Sequence, residues 1–189
     1  MKNNLLNNNS LPLQENYIVS LLLPADIDDI IDMLEDDQVT RYLPFAPAPE
    51  CVYRDYFAPI AEQNESSLKA GTEPSMTLVI READSGTFAG MLGLVPAAMT
   101  TGVYEVGFQF PQRSWGKGLA SQGCQMLIQY AFDELRAHKV TADCYANNKG
   151  SERVMVKSGM MKEGHQESYY SPEEDRVLYG ITRKQYLNL

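Results

Sequence analysis

Tyr104-Glu-Val-Gly-Phe-Gln-Phe-Pro-Gln-Arg-Ser-Trp-Gly-Lys-Gly-Leu-Ala-Ser121 changes character twice along its length. Its first seven residues alternate, with Tyr104, Val106, Phe108 and Phe110 on one side and Glu105, Gly107 and Gln109 on the other. That is the period of a strand with one apolar face. Pro111 has no N–H to offer a ladder, so pairing is expected to end there. Gly116 and Gly118 follow, and a helical pattern begins at Leu119. A strand, a proline break, a Gly-x-Gly turn and a helix start predict a phosphate cradle. Small residues let backbone N–H groups approach the anion, and the helix dipole adds positive potential. Arg113 and Lys117 would add full charges beside it.

Two nucleotide motifs are excluded. A P-loop needs a glycine where Pro111 stands and Ser or Thr where Gly118 stands. A dinucleotide fingerprint needs a glycine at Ser121. The spacing Arg113-x-x-Gly116-x-Gly118 instead resembles the R/Q-x-x-G-x-G/A pattern of the GNAT superfamily of acyl-CoA N-acyltransferases. The longer string from Arg113 to Ser121 resembles its Rim-type branch, the ribosomal-protein N-terminal acetyltransferases. The resemblance implies acetyl-CoA as co-substrate, with its pyrophosphate wrapped by this loop. It carries cofactor contacts onto Phe108, Phe110, Arg113, Ser114, Trp115, Gly116, Lys117, Gly118, Ala120 and Ser121.

A second motif, Asn147-Asn-Lys-Gly-Ser-Glu-Arg-Val-Met-Val-Lys-Ser-Gly159-Met160, reads locally as a short capped helix. Asn148 is a good N-cap, Glu152 lies near the helix start and Gly159 suits the position past its end. The stretch also resembles the superfamily's Asn-x-x-Ser…Lys-x-Gly-Phe segment, matching at Asn148, Ser151, Lys157 and Gly159, with Met160 in place of Phe. The resemblance implies a cofactor contact from Asn148 in addition to its cap.

If the resemblance holds, the reaction is acyl transfer to a primary amine. Backbone N–H groups near Phe108, freed where strand 104–110 splays from strand 139–146, would hold the thioester oxygen. Many members place an acidic tyrosine seven residues after the asparagine; here that position is Met155, which has no proton to give. The Rim-type branch uses a serine three residues after the asparagine, so Ser151 is the expected acid, with a plain first-turn helix residue as the alternative. Glu105, on the polar side of its strand, is the first candidate base; Glu167, Tyr169 and Tyr170 are weaker ones. A peptide α-amine titrates near ~7.8 and a lysine amine near ~10.4, so deprotonation at neutral pH costs about 1 and roughly 4.6 kcal/mol respectively. An N-terminal acceptor therefore needs no strong base.

The chain has 189 residues, 44% hydrophobic and 22% charged, which suits one globular domain with a sizeable core. The net charge of −9 disfavours a nucleic-acid-binding surface and suits a cationic acceptor. Three cysteines, Cys51, Cys124 and Cys144, have no C-x-x-C spacing and read as reduced thiols in the cytoplasm. The two histidines share no metal-ligand spacing, so no metal is expected. No apolar run approaches the ~18 residues of a membrane span, and no signal peptide is expected at the start.

Residues 1–15, with asparagines at 3, 4, 7, 8 and 9, read as a flexible lead-in to a catalytic domain over 16–185. A strand is expected at 17–23 and a helix at 25–34, whose Asp26, Asp28 and Asp29 match the dipole from a solvated face. The proline-rich segment 36–49 reads as a semi-rigid apolar loop, resembling the loop lining the acceptor side in the same family. A helix over about 50–69 is expected to break at Pro59, and strands 76–82 and 87–95 to pair through a turn. After the central stretch come a helix over 118–137, a strand at 139–146, the capped helix and two closing strands. The sum is an α/β (α+β) single-domain fold, GNAT-like, with a mixed, mostly antiparallel central sheet and helices on both faces.

Three functions stay open at this level. The first is an N-acetyltransferase of a protein N-terminus, of ribosomal-protein type. The second acetylates a small amine such as a polyamine, amino acid or drug. The third is a non-catalytic acyl-CoA-binding module, which Met155 leaves open. The oligomeric state is also open, a homodimer included.

Overall fold

The computed structural model describes residues 1–8 and 10–188; Asn9 of the asparagine-rich start lies outside the described residues. Its helices are α1 (Lys2–Asn8), α2 (Ile27–Leu34), α3 (Asp37–Thr40), α4 (Glu50–Ala70), α5 (Leu119–Asp133), α6 (Lys149–Lys157) and α7 (Arg183–Tyr186). Its strands are β1 (Leu11–Gln14), β2 (Tyr17–Leu21), β3 (Met76–Glu82), β4 (Phe88–Pro96), β5 (Val103–Gln109), β6 (Lys139–Tyr145), β7 (Met161–Ser171) and β8 (Glu174–Thr182). The eight strands form one sheet in the order β1-β2-β3-β4-β5-β6-β8-β7. β5 runs parallel to β6, while β1/β2, β2/β3, β6/β8 and β7/β8 are antiparallel. This is the expected mixed, mostly antiparallel α/β architecture.

The chain packs as two compact units, Met1–Leu92 with Phe108–Leu119, and Gly93–Gly107 with Ala120–Leu189. In the first, Met76 to Ile80 of β3 are all buried. Ile27, Ile30, Ile31 and Leu34 of α2 pack with Tyr53, Phe57 and Ala61 of α4, Val79 and Met91 into one apolar cluster. Val39, Leu43, Ala46 and Ala48 join it from the segment after α2, and the Ala48 N–H donates to the Tyr53 hydroxyl at 2.7 Å. That segment is thus a packed loop, as its composition suggests, with one helical turn, α3, capped by Asp36.

Several local expectations are corrected here. Residues 1–15 are no bare lead-in: they carry α1, whose Leu5 is fully buried, and β1, which pairs with β2. α4 does not break at Pro59 but runs through it over 21 residues. Tyr53, Phe57, Ala61, Asn64 and Ser67 form its buried stripe, and exposed Pro59 turns its missing hydrogen bond toward solvent. α5 stops at Asp133 instead of Ala137, because Leu135 donates back to Tyr130 and Arg136 adopts φ 54°. Asp26 is not solvated: it is 7% exposed, accepts the Leu23 N–H at 2.8 Å and pairs with Arg81 at 2.6 Å. A carboxylate at a helix start that accepts a backbone N–H and meets an arginine can be buried without an orphaned charge.

In the second unit β6 alternates strictly. Val140, Ala142 and Cys144 are buried, while Thr141, Asp143 and Tyr145 lie on the other face. β8 repeats this, with Val177, Tyr179 and Ile181 buried.

Candidate active site

In the first unit, β5 ends at Gln109 and the chain turns through Phe110 and Pro111 into a short 3-10 turn, Gln112–Ser114. The turn is held at several points. Arg113 Nη2 donates to the Phe88 carbonyl at 2.8 Å, Trp115 Nε1 to the Phe110 carbonyl at 2.7 Å, and Gln112 Nε2 to Asp36 Oδ2 at 2.8 Å. Ser114 is buried beneath it. The Gln112 amide, followed by the Gln38 N–H, holds the Asp36 carboxyl below its ordinary range. Gly116 and Gly118 have φ of 76° and 83°, a region that costs an L-residue strain. A Cβ added at either would find no atom within 4 Å. Among the described residues, the N–H groups of Gly116 and Gly118 meet no backbone acceptor. They lead directly into the N-terminus of α5, where the first N–H groups also lack helical partners. The outcome is a run of free donors, open to solvent. The exposed Lys117 reaches Tyr17, with Nζ 3.1 Å from the hydroxyl and 5.8 Å from the ring centroid.

In the second unit, β5 pairs with β6 only from Val103↔Lys139 to Glu105↔Thr141. β6 continues to Tyr145 with β8 as partner, so the described β5–β6 ladder ends at Glu105. Glu105 itself is surface-accessible, yet enough protein surrounds its carboxyl to push its pKa up by desolvation. The negative charge of Asp143 adds to the rise and Arg176 opposes it.

α6 begins as its sequence requires. Asn148 Oδ1 accepts the Ser151 N–H at 3.1 Å. Ser151 is half-buried, and among the described residues its hydroxyl has no hydrogen-bond partner. Met155 is 1% exposed and belongs to the core. Glu152 accepts from Lys149 and from the Tyr179 hydroxyl, which together hold its carboxyl below the usual range. At the helix end, Ser158 Oγ donates to the carbonyls of Val154 and Ser121, and Gln125 to that of Lys157. Ser121 is thereby tied in through its backbone, and Ala120 sits half-buried in the first turn of α5.

The acetyltransferase (GNAT) domain profile matches residues 18–161. The chain belongs to the GNAT acetyltransferase family. It is an acetyl-CoA-dependent N-acyltransferase. It is 24% identical over 181 residues to the "Putative ribosomal N-acetyltransferase YdaF" of Bacillus subtilis (strain 168), covering 92% of this chain and 95% of that one. Its fold matches a spermidine N-acetyltransferase from Vibrio cholerae in complex with CoA and spermine, at TM-score 0.71 and 18% identity, over 93% of this chain and 100% of the other. It also matches a ribosomal-protein-S5-alanine acetyltransferase from Vibrio fischeri, at TM-score 0.68 and 18% identity, over 92% and 96% of the two chains.

The loop of this GNAT chain fits the diphosphate of the family's co-substrate. The open space over Gly116 and Gly118 and the unpaired N–H groups are the features a phosphate requires. Residue patterns did not single out Asp143, Arg176 or Tyr145, which accompany Glu105 on one sheet face. The available signal was the alternation Lys139-Val-Thr-Ala-Asp-Cys-Tyr145, which marks Asp143 and Tyr145 as partners of one polar face. Of the weaker base candidates, Tyr170 donates its hydroxyl proton to Asp143, and burial pushes its pKa well up. Tyr169 and Glu167 are exposed. Cys124 and Cys144 thiols are pushed up to about 12 by burial, which rules out thiolate chemistry at neutral pH. Among the described residues, no group of His, Cys, Asp and Glu is arranged to hold a metal, and no helix is long and apolar enough to cross a membrane.

Proposed function

We propose that this acetyltransferase acts on a protein N-terminal α-amine of the ribosomal-protein type, with residues 16–185 as its catalytic domain. The observation that carries this reading is the pair Ser151 and Met155. The position where many superfamily members keep a tyrosine acid is a buried methionine, while the serine that the Rim-type branch uses has a free hydroxyl. Similarity along nearly the whole chain to the protein named "Putative ribosomal N-acetyltransferase YdaF" supports the same acceptor class.

Acetyl-CoA supplies an activated thioester acyl group and a thiol leaving group. The N–H groups of Gly116 and Gly118 and the start of α5 bind its diphosphate, with Lys117 as counter-charge and Arg113 bracing the turn against Phe88. Glu105 takes the proton from the acceptor nitrogen. Its raised pKa makes it a stronger base than an ordinary glutamate. Ser151 Oγ gives up a proton on the leaving-group side, alone or through water. The cytoplasm is the proposed compartment, in keeping with cysteines that are all free thiols.

The test is thiol release from acetyl-CoA with peptides carrying free N-terminal Ala or Ser, against spermidine and free amino acids. Turnover on the peptides, lost when their α-amine is blocked, is the expected result. Turnover on spermidine alone would replace this acceptor with a polyamine, and CoA binding without turnover on any amine would leave a binding module.

A further inference from the structure

One face of the second unit's sheet carries a polar network that the roles above leave unused. The register Glu105↔Thr141 sets Glu105 on the face of β6 that bears Thr141, Asp143 and Tyr145. Asp143 is therefore its diagonal neighbour, two residues along the adjacent strand. The registers Asp143↔Leu178 and Tyr145↔Arg176 bring Arg176 to the same face. Arg176 Nε donates to Asp143 Oδ2 at 2.8 Å and Nη2 to Oδ1 at 2.7 Å, a bidentate pair with side chains 20% and 16% exposed. The Tyr170 hydroxyl donates to the same Oδ2 at 2.6 Å. Tyr170 is fixed in turn by stacking on Tyr145, with centroids 3.8 Å apart and planes at 11°. The Arg176 guanidinium lies 4.5 Å from the Tyr169 ring centroid. Asp143 thus has three donors from two side chains and little freedom to move.

We infer that Tyr170, Asp143 and Arg176 form a positioning device for Glu105, holding one negative charge and its partial counter-charge beside it so that Glu105 takes up the acceptor's proton at working pH. The inference rests on Glu105 being the base. The proton passes from the acceptor nitrogen to a Glu105 carboxylate oxygen, and the network gives up none. Desolvation raises the proton affinity of Glu105 most, Asp143 adds to it and Arg176 subtracts. The other charged groups of this face are Lys139, which pairs with Glu163 at 2.6 Å, and Glu174, two residues before Arg176 on β8, whose charge acts on the Tyr145 phenol; β4 carries no titratable side chain.

The network makes opposite-signed predictions for two neighbouring charges. Asp143→Asn removes the like charge and leaves Arg176, so the acid limb of the kcat/KM profile moves down by about one pH unit. Arg176→Gln leaves Asp143 uncompensated, and the limb moves up by a similar amount. Tyr170→Phe keeps both charges, so the limb stays in place while kcat falls. The acceptors are an Ala-initiated peptide and spermidine, whose own ionisation is the same in every variant. A carboxyl-carbon NMR titration of the full chain, with Glu105→Gln identifying the resonance, reads the same shifts without turnover and decides the matter if neither acceptor reacts. If Glu105→Gln leaves the limb and kcat intact, Glu105 is not the base and both readings fall. If Glu105→Gln removes the limb but Asp143→Asn leaves the Glu105 titration unmoved or raises it, the base stands and the positioning device falls. Asp143→Asn alone decides this if Arg176→Gln does not fold.

Discussion

The ring of Phe110 lies so close to Gly90 that a Cβ built on the glycine would stand 2.2 Å from a ring carbon. Phe110 ends the strand stretch and begins the glycine turn, and its carbonyl holds the Trp115 indole. Gly90 therefore sets the depth at which the turn is seated. Gly90→Ala must push the ring out of a buried site, and overpacking of this kind costs about 1–3 kcal/mol. For a chain of this size each kcal/mol lowers Tm by roughly 2–4 °C. We expect a lower Tm together with weaker acetyl-CoA binding. A variant that melts like the parent would show that the ring can move aside freely.

Gly118 poses the opposite case, open space but a backbone at φ 83°. Gly118→Val meets no atom of the protein, yet it carries a left-handed strain of about 1–2 kcal/mol and projects a branched side chain over the free N–H groups. Acetyl-CoA affinity measured by calorimetry should fall by far more than Tm suggests. Unchanged affinity would remove the diphosphate from this loop.

Asn148 and Ser151 separate capping from chemistry. Asn148→Ala loses the acceptor for the Ser151 N–H and should cost about 0.5–2 kcal/mol of stability. Ser151→Ala keeps that backbone contact, so its Tm should stay close to the parent's while kcat drops more than acetyl-CoA affinity. Parent-like turnover in Ser151→Ala would return the residue to a structural role.

Glu105 also leaves a mark on stability against pH. Its folded pKa is raised, so below the unfolded value of about 4.3 both states hold the proton and the residue contributes nothing. As pH rises past that value the unfolded chain releases the proton first, and the penalty on the folded state grows until pH exceeds the raised folded pKa, above which it stays in full. Glu105→Gln should therefore melt with the parent near pH 4 and above it at pH 7.5. A gain of equal size at both values would mean that packing, and not ionisation, is responsible.

Sequence and structure agree where neighbours along the chain decide the conformation. The alternation of residues 104–110, the stop at Pro111, the Gly-x-Gly turn before Leu119 and the Asn148 cap all occur where the residues demand them. Each depends on a property of a few adjacent residues: a missing N–H, a missing Cβ or a side-chain oxygen within reach of the next turn. They part where distant packing outweighs a local preference. Pro59 should break a helix, but the buried stripe from Tyr53 to Ser67 holds α4 together across it. The asparagines of the first residues suggest no structure, yet Leu5 is buried and β2 offers an edge to Leu11–Gln14. Asp26 looks like a solvated helix-start residue until Arg81, far along the chain, meets it.

The amino-acid sequence by itself determined the family, the reaction class and the loop expected to bind the cofactor, because those are carried by short strings whose chemistry is local. Only the tertiary structure decided which side chains accompany the candidate base. Asp143, Tyr170 and Arg176 stand on three strands, and nothing in their spacing along the chain announces that one carboxylate will collect two of an arginine's donors and a phenol. Strand register does that: a shift of one residue in β6 against β8 would turn Asp143 into the core and Cys144 out of it. Register is fixed by burying Val140, Ala142, Cys144, Val177 and Tyr179 together, a property of the folded sheet rather than of any segment within it.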